Sequence, residues 1–456
     1  MKFYGVTGDC PALRLILNFI SHGGYYCCWY CYIRGEHIDG KRQYNFEEPM
    51  IMRDPDSFLD ESFLAESKKL NVFGHLGQSI IQPILDVPLP NAIIADYLHV
   101  ILLGHAKALM VNLYRSLTPS ERSQLDFRFK KQKFPHFFHR KLKPIGNFAF
   151  VKATEIRNIL LYALLPHFKS YLSIDKLSHL ALYVCFVRLL HEQPTGGPNT
   201  SKLANELFQE FYRNHGEHYE GLGNFVLHLH SHLADIYDQH GSLANIGCFA
   251  QEDLISSVSS NHHGTRYYGE LITYYYNIDH RLHAKLLEPT QLRDELLDLV
   301  SYSSNEHRIF HDQLCRCRQS HDCMKIYKRL VINRRVFHSL LYAKRGESIS
   351  YMIQYTGEDG DFEFGIIEYF FNLIIDGKFY AVVDQWRLTI PYSRHLVHSK
   401  YFHLLKEPLD SFFFVVDKRS IGKKFISTDA IIKHCILFEI DNDAFVTPIS
   451  CYDEHD

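Results

Sequence analysis

The chain holds no uninterrupted apolar stretch of about 18 or more residues, the length a membrane-spanning helix needs. Its first residues lack the basic start, apolar run and small cleavage residues of a secretory leader. It has no internal repeat and no low-complexity tract, and with a formal net charge of −3 it has no overall basic excess. A uniformly basic nucleic-acid binder is thereby excluded, and any phosphate contact must come from local patches. A disulfide framework is also unexpected, because without a leader the 11 cysteines among 456 residues read as free thiols or metal ligands. The expected setting is nuclear or cytoplasmic.

What the chain has in quantity is aromatic and titratable: 33 Phe, 29 Tyr and 29 His, with 46% hydrophobic residues, enough for a packed chain of two or three domains. A short apolar strand, "YGVTG", delivers Asp9 and runs into a helix over Pro11–Ile20. "GGYYCCWYCYIRGE" then reads as a glycine turn into an aromatic strand carrying Cys28 and Cys31. From about Leu89 to Gly247 helical periodicity dominates, with "QPTGGPNT" among the breaks, and a helical, basic stretch follows from Glu252 to about Lys328. The tail from about Val336 alternates short apolar runs with turn signals at Asp376-Gly377 and Asp441–Asp443, as a small all-β module would.

Three kinds of residue carry chemistry. Cys28 and Cys31 have half-site spacing for a tetrahedral zinc. His228 and His232, four apart on one helical face, have the other half. Leu229 rather than Glu follows the first of these histidines, so a zincin-type hydrolase is disfavoured, and four protein ligands would in any case close the zinc to substrate. Glu252 opens a helix, where an acid serves the dipole, and Asp9 ends a strand, where an acid is commonly a cap. Two basic runs remain, "RFKKQKFPHFFHRKLK" (Arg128–Lys143) and "KIYKRLVINRR" (Lys325–Arg335), each otherwise a solvated helix face. A loose cluster of Cys315, Cys317, His321 and Cys323 reads more simply as a thiol-rich loop than as a second metal site.

Taken in order, "GDCPALRLILN", "GGYYCCWYCYIRGE", "GHLGQS", "DYLHVILLGH" with its Asp96-x-x-His99, "FVKATEIRNILLY", "HLHSHLADIYDQHGSL" and "CFAQED" resemble the DDE transposases of the CACTA/Mirage/Chapaev group and the transposase-domain proteins related to CACTA elements. The resemblance covers most of the chain to about Val300 and, more loosely, the tail. It implies an α+β fold: a partial RNase H-like core with the CxxC over 1–60, an α-helical insertion ending in HxxxH over 61–247, a helical segment with the third acid over 248–330, and a β-rich barrel or SH3-like module over 331–456. It assigns Asp9 and Glu252 to the second and third catalytic acids, which bind Mg²⁺. It assigns Cys28, Cys31, His228 and His232 to a structural Zn²⁺ that pins the insertion to the core. The implied reaction is DNA strand cleavage and transfer by two-metal phosphoryl transfer, in the nucleus, on element ends. The basic residues Arg128, Lys130, Lys131, Lys133, Arg140, Lys141 and Lys143 are expected to contact DNA phosphates. A first acid is absent upstream of Asp9, so the chain is expected to be amino-terminally truncated relative to the family and inactive, with "KFYGVTG" an unpaired sheet edge. The alternative is a domesticated DNA- or chromatin-binding protein with a structural zinc. Homo-oligomerisation and a peptide partner for the β module stay open.

Overall fold

The computed structural model describes residues 2–192, 199–260, 266–286, 294–300, 310, 313–315, 323–342 and 348–450. Its architecture is α+β: a helical region followed by a large, mainly antiparallel sheet. The first strand, β1 (Val6–Gly8), pairs in parallel with β4 (Ile93–Ala95), Gly8 opposite Ala95. The edge expected to stand unpaired therefore has a partner on one side. Between them, β2 (Glu36–Ile38) and β3 (Lys41–Gln43) form a hairpin turned by Asp39 and Gly40. Both turn residues have positive φ (49° and 75°), as the tight turns that match strand twist require.

Local sequence explains where the helices begin. Asp9 accepts from the Ala12 N–H to cap α1 (Cys10–Ile16), and Pro11 sits in the first turn. Asp54 caps α2 (Pro55–Lys68), which starts on proline and ends at Lys69 in the left-handed region. Asp96 caps α3, whose first turns, Tyr97–Ala106, are wide and π-type before it continues as Lys107–Ser116. Thr118 and Glu121 form a reciprocal capping box on α4 (Pro119–Lys131).

Next come α5 (Ala153–Asn158, running on through Ile159–Ala163 and Leu164–Phe168), α6 (Ile174–His191) and α7 (Thr200–Arg213). The next helix, α8, runs Phe225–Leu229, His230–His232 and Leu233–His240, and is followed by α9 (Phe249–Ser260) and α10 (Tyr268–Leu286). The middle of α6 is buried on every side, from Leu177 to Arg188, which is why it shows no polar stripe.

The sheet contains β5 (Glu295–Leu299), β6 (Met324–Ile332), β7 (Arg335–His338), β8 (Met352–Thr356), β9 (Phe362–Leu373), β10 (Phe379–Pro391), β11 (Phe414–Ser427), β12 (Ile431–Ile440) and β13 (Asp443–Pro448). It starts within the stretch read as helical up to Lys328. The two hairpins expected at Asp376-Gly377 and Asp441–Asp443 join β9 to β10 and β12 to β13. Pairings β9–β10–β11–β13–β12–β8–β9 close a ring of six strands, with β6, β5 and β7 attached through β9. Met352, Phe364, Trp386, Val416, Cys435, Leu437, Ala444 and Val446 draw on all six ring strands and form one apolar cluster.

The outer face of β12 and β13 packs into the main core. Ile436, Phe438, Ile440 and Phe445 share one cluster with Leu13, Cys28, Ile101, Leu180 and Phe186. Helix α11 (Phe402–Phe412) closes over the same core. Buried Arg188 of α6 ties the halves together, donating to Leu161 O (3.2 Å), Thr447 Oγ1 (2.6 Å) and Pro448 O (2.9 Å) while lying over Phe412.

Candidate metal centre and acid cluster

Cys28 and Cys31 lie in a buried, aromatic-flanked turn after α1, and His228 and His232 lie one turn apart on α8. Cys28 Sγ is 3.3 Å from His232 Nε2, Cys31 Sγ is 3.2 Å from His228 Nε2, and the two imidazole nitrogens are 3.3 Å apart. All four donor atoms fall within 4.8 Å of one another. A tetrahedral zinc with Zn–S of about 2.3 Å and Zn–N of about 2.0–2.1 Å needs S···N edges of about 3.6 Å and an N···N edge of about 3.4 Å. The four residues fit a metal ion, and their two-sulfur, two-nitrogen chemistry is compatible with structural zinc. Burial pushes the Cys28 thiol up, but Cys31 and the two imidazoles outweigh it and hold Cys28 well below its ordinary value, while the hydrogen bond to Cys28 and burial hold Cys31 well above its own, so an ion bound by both sulfurs would displace the Cys31 proton.

The turn carrying the thiols is held from outside by Arg53. Its side chain, fully buried, donates through Nε to Cys28 O and Cys31 O (3.2 Å each), through Nη1 to Glu61 (2.8 Å) and through Nη2 to Phe73 O (2.6 Å). On the far side, Gly104 lets α3 approach α8: a Cβ there would stand 2.7 Å from Val226 Cγ1 and 2.7 Å from His99 O. The helix carrying His99 therefore packs directly on the helix carrying the metal-type histidines.

The acids converge at the end of the short parallel sheet. Because Gly8 pairs with Ala95, the next residues, Asp9 and Asp96, stand side by side where the two strands finish. Asp96 is fully buried. Its oxygens accept from the N–H groups of Leu98 (3.2 Å), His99 (2.9 Å) and Cys248 (2.8 Å) and from His99 Nδ1 (2.5 Å). Burial pushes the Asp96 carboxyl up, but these bonds outweigh it and hold it below the usual carboxylate range.

The other ring nitrogen of His99, Nε2, lies 3.1 Å from Glu252 Oε1. The hydrogen bond to Asp96 raises the His99 pKa, against burial, and the charges of Asp96, Glu252 and Asp9 act in the same direction. Glu252 thus contacts the imidazole directly, while Asp9, whose carboxylate caps α1, acts on it through its charge, although the two lie in segments far apart in sequence. Asp96 and His99 stood out in the sequence only as a spaced pair. Their roles arise from bonds to the distant Cys248 backbone and to Glu252, which no local pattern encodes.

Arg128 pairs with Asp441 (2.6 Å) and Lys143 with Glu155 (3.4 Å). Lys130, Lys131, Lys133, Arg140 and Lys141 are exposed and line a cleft. Of the loose thiol cluster, Cys315 and Cys323 are buried with sulfurs 3.8 Å apart, and Cys317 and His321 lie outside the described residues. None of the helices among the described residues is long and apolar enough to cross a membrane. No protein-family model matches the chain, and neither curated proteins nor solved structures gave a significant match.

Proposed function

We propose that this chain is a remnant of a transposable-element DDE transposase that binds DNA and, on its own, does not cut or join it. The observation that carries the reading is the placement of Asp9 beside Asp96 at the ends of two parallel strands, with Glu252 linked to Asp96 through His99, beside a buried Cys₂His₂ set that joins residues 204 and 197 positions apart. In this reading Asp9 and Glu252 are the carboxylates that take Mg²⁺ in the intact family, on a partial RNase H-like core. The zinc fixes the helical insertion against that core. The first reason for inactivity is the number of carboxylates. Asp96, the third acid at this end of the sheet, uses its oxygens on four hydrogen bonds and has none to give to a metal. The second is that Glu252 is engaged by the His99 imidazole.

The same two facts favour the domesticated form of the reading, a nuclear DNA- or chromatin-binding protein with a structural zinc and a β ring available to a further partner. An electrophoretic mobility shift on mixed-sequence duplex DNA at rising salt tests both forms. Retention that weakens steeply with salt is expected, and failure to retain duplex at low salt refutes both.

A further inference from the structure

The two basic runs, separate in sequence, meet in space. The chain leaving α4 is stitched along the β sheet: Gln132 Nε2 donates to Leu437 O (2.9 Å), Ile349 N–H donates to Phe134 O (3.0 Å), and His136 N–H donates to Ser350 Oγ (2.8 Å). His136 then stacks on His338 of β7, ring centres 4.3 Å apart. This docking opens a cleft of about 960 Å³ into which Lys130, Lys131, Lys133, Arg140 and Lys141 from the first run and Arg329 from the second all project. Among the described residues, no carboxylate lines it. Arg329 is partnered by Asp298 just outside (2.6 Å). Three lysines elsewhere on the sheet sit in acid pairs: Lys418 with Glu439, Lys423 with Glu368 and Lys424 with Glu363.

We propose that this cleft is the DNA-binding surface of the molecule, holding a run of backbone phosphates between the helical region and the β6–β7 hairpin. The proposal rests on the DNA reading above and deepens it by saying which cations act together and which do not. Arg128 and Lys143, held by Asp441 and Glu155, do not line the cleft and stay out of the contact. The arrangement suits a phosphate backbone better than one caged anion. Helix α4 presents its carboxyl end here, after Lys131, whereas compact phosphate sites use helix amino termini and backbone N–H groups. The cations are long, exposed side chains from several points along the walls, the kind that positions a backbone without reading bases.

The test measures fluorescence anisotropy of a labelled duplex with the full chain, a cleft variant (Lys130→Ala, Lys133→Ala, Arg140→Ala) and a control variant (Lys418→Ala, Lys423→Ala). Each cation removed lowers the slope of log affinity against log salt by about 0.9. The cleft variant should therefore lose between two and three units of slope and at least tenfold in affinity at low salt, and the control should match the unmodified chain. Lys133→Glu with Arg140→Glu is the second variant; it should bind more weakly still, with thermal melting run on every variant to show that each is folded.

Equal binding by the cleft and unmodified chains overturns the proposal while leaving the DNA reading standing. No binding by the unmodified chain overturns both. Inositol hexakisphosphate that binds the unmodified chain one-to-one, fails to bind the cleft variant and does not displace duplex would give the cleft to a compact polyphosphate and also overturn the proposal.

Discussion

Removing the metal should cost this chain more stability than any single apolar truncation. The four ligands close a connection of about 200 residues, since the pairs Cys28–His232 and Cys31–His228 are 204 and 197 positions apart. An ion held by these ligands in the fold and lost on unfolding contributes its whole binding free energy to stability, about 10 kcal/mol or more for a structural zinc near pH 7. Without the ion, two thiols and two imidazoles remain buried within van der Waals reach of one another. Against a total stability of about 5–15 kcal/mol, a loss of about 10 kcal/mol or more melts much of the fold at working temperature. The assay is zinc content by mass spectrometry alongside thermal melting, before and after a high-affinity zinc chelator, repeated on Cys28→Ser. One zinc per chain and a large fall in melting temperature on chelation are expected. A preparation free of zinc that melts where the loaded one does refutes the reasoning.

Other perturbations follow from particular contacts. Arg53→Met leaves the carbonyls of Cys28, Cys31 and Phe73 and the Glu61 carboxylate without their donor. It should cost about 3–5 kcal/mol, read by urea unfolding, and should speed zinc release to a chromogenic chelator. Asp96→Asn keeps the shape but turns a donor toward N–H groups that need an acceptor, and a loss of about 2–4 kcal/mol in the same unfolding assay is expected. The chain should also be acid-labile. Burial pushes His167 and His215 down to about 3 and His179 down to about 2. These groups are neutral in the fold and gain protons on unfolding, so stability is intact above the unfolded value near 6.5 and falls as the pH drops below it. At pH 5 each costs about 2 kcal/mol, so the urea midpoint should fall sharply between pH 7.5 and 5, and an unchanged midpoint would contradict the burial.

The legible parts of this fold are those set by neighbours in sequence. Asp9, Asp54 and Thr118 each sit before a proline-containing first turn and cap a helix, and Asp376-Gly377 turns a hairpin. The CxxC and the i, i+4 histidines were visible as half-sites for the same reason, and only the packing of α8 against the turn after α1 makes them one cluster. What sequence did not carry is non-local. "ELLDL" has the apolar spacing of a helix, yet Glu295–Leu299 is a strand because Leu296 and Leu297 pair with Leu330 and Arg329 of β6. The basic run looked like one surface. Asp441 and Glu155, distant in sequence or folded back on it, take Arg128 and Lys143 out of the set. Likewise, nothing near Asp96 announces that the Cys248 N–H will claim one of its oxygens.

The measurement that bears most directly on the proposed function is incubation of the zinc-loaded chain with supercoiled plasmid and Mn²⁺ or Mg²⁺, scoring binding and nicking on the same sample. Retarded but intact supercoiled plasmid is the expected result. Robust nicking that disappears in Asp9→Ala would contradict it, because the acids around His99 would then be a working metal site rather than a relic.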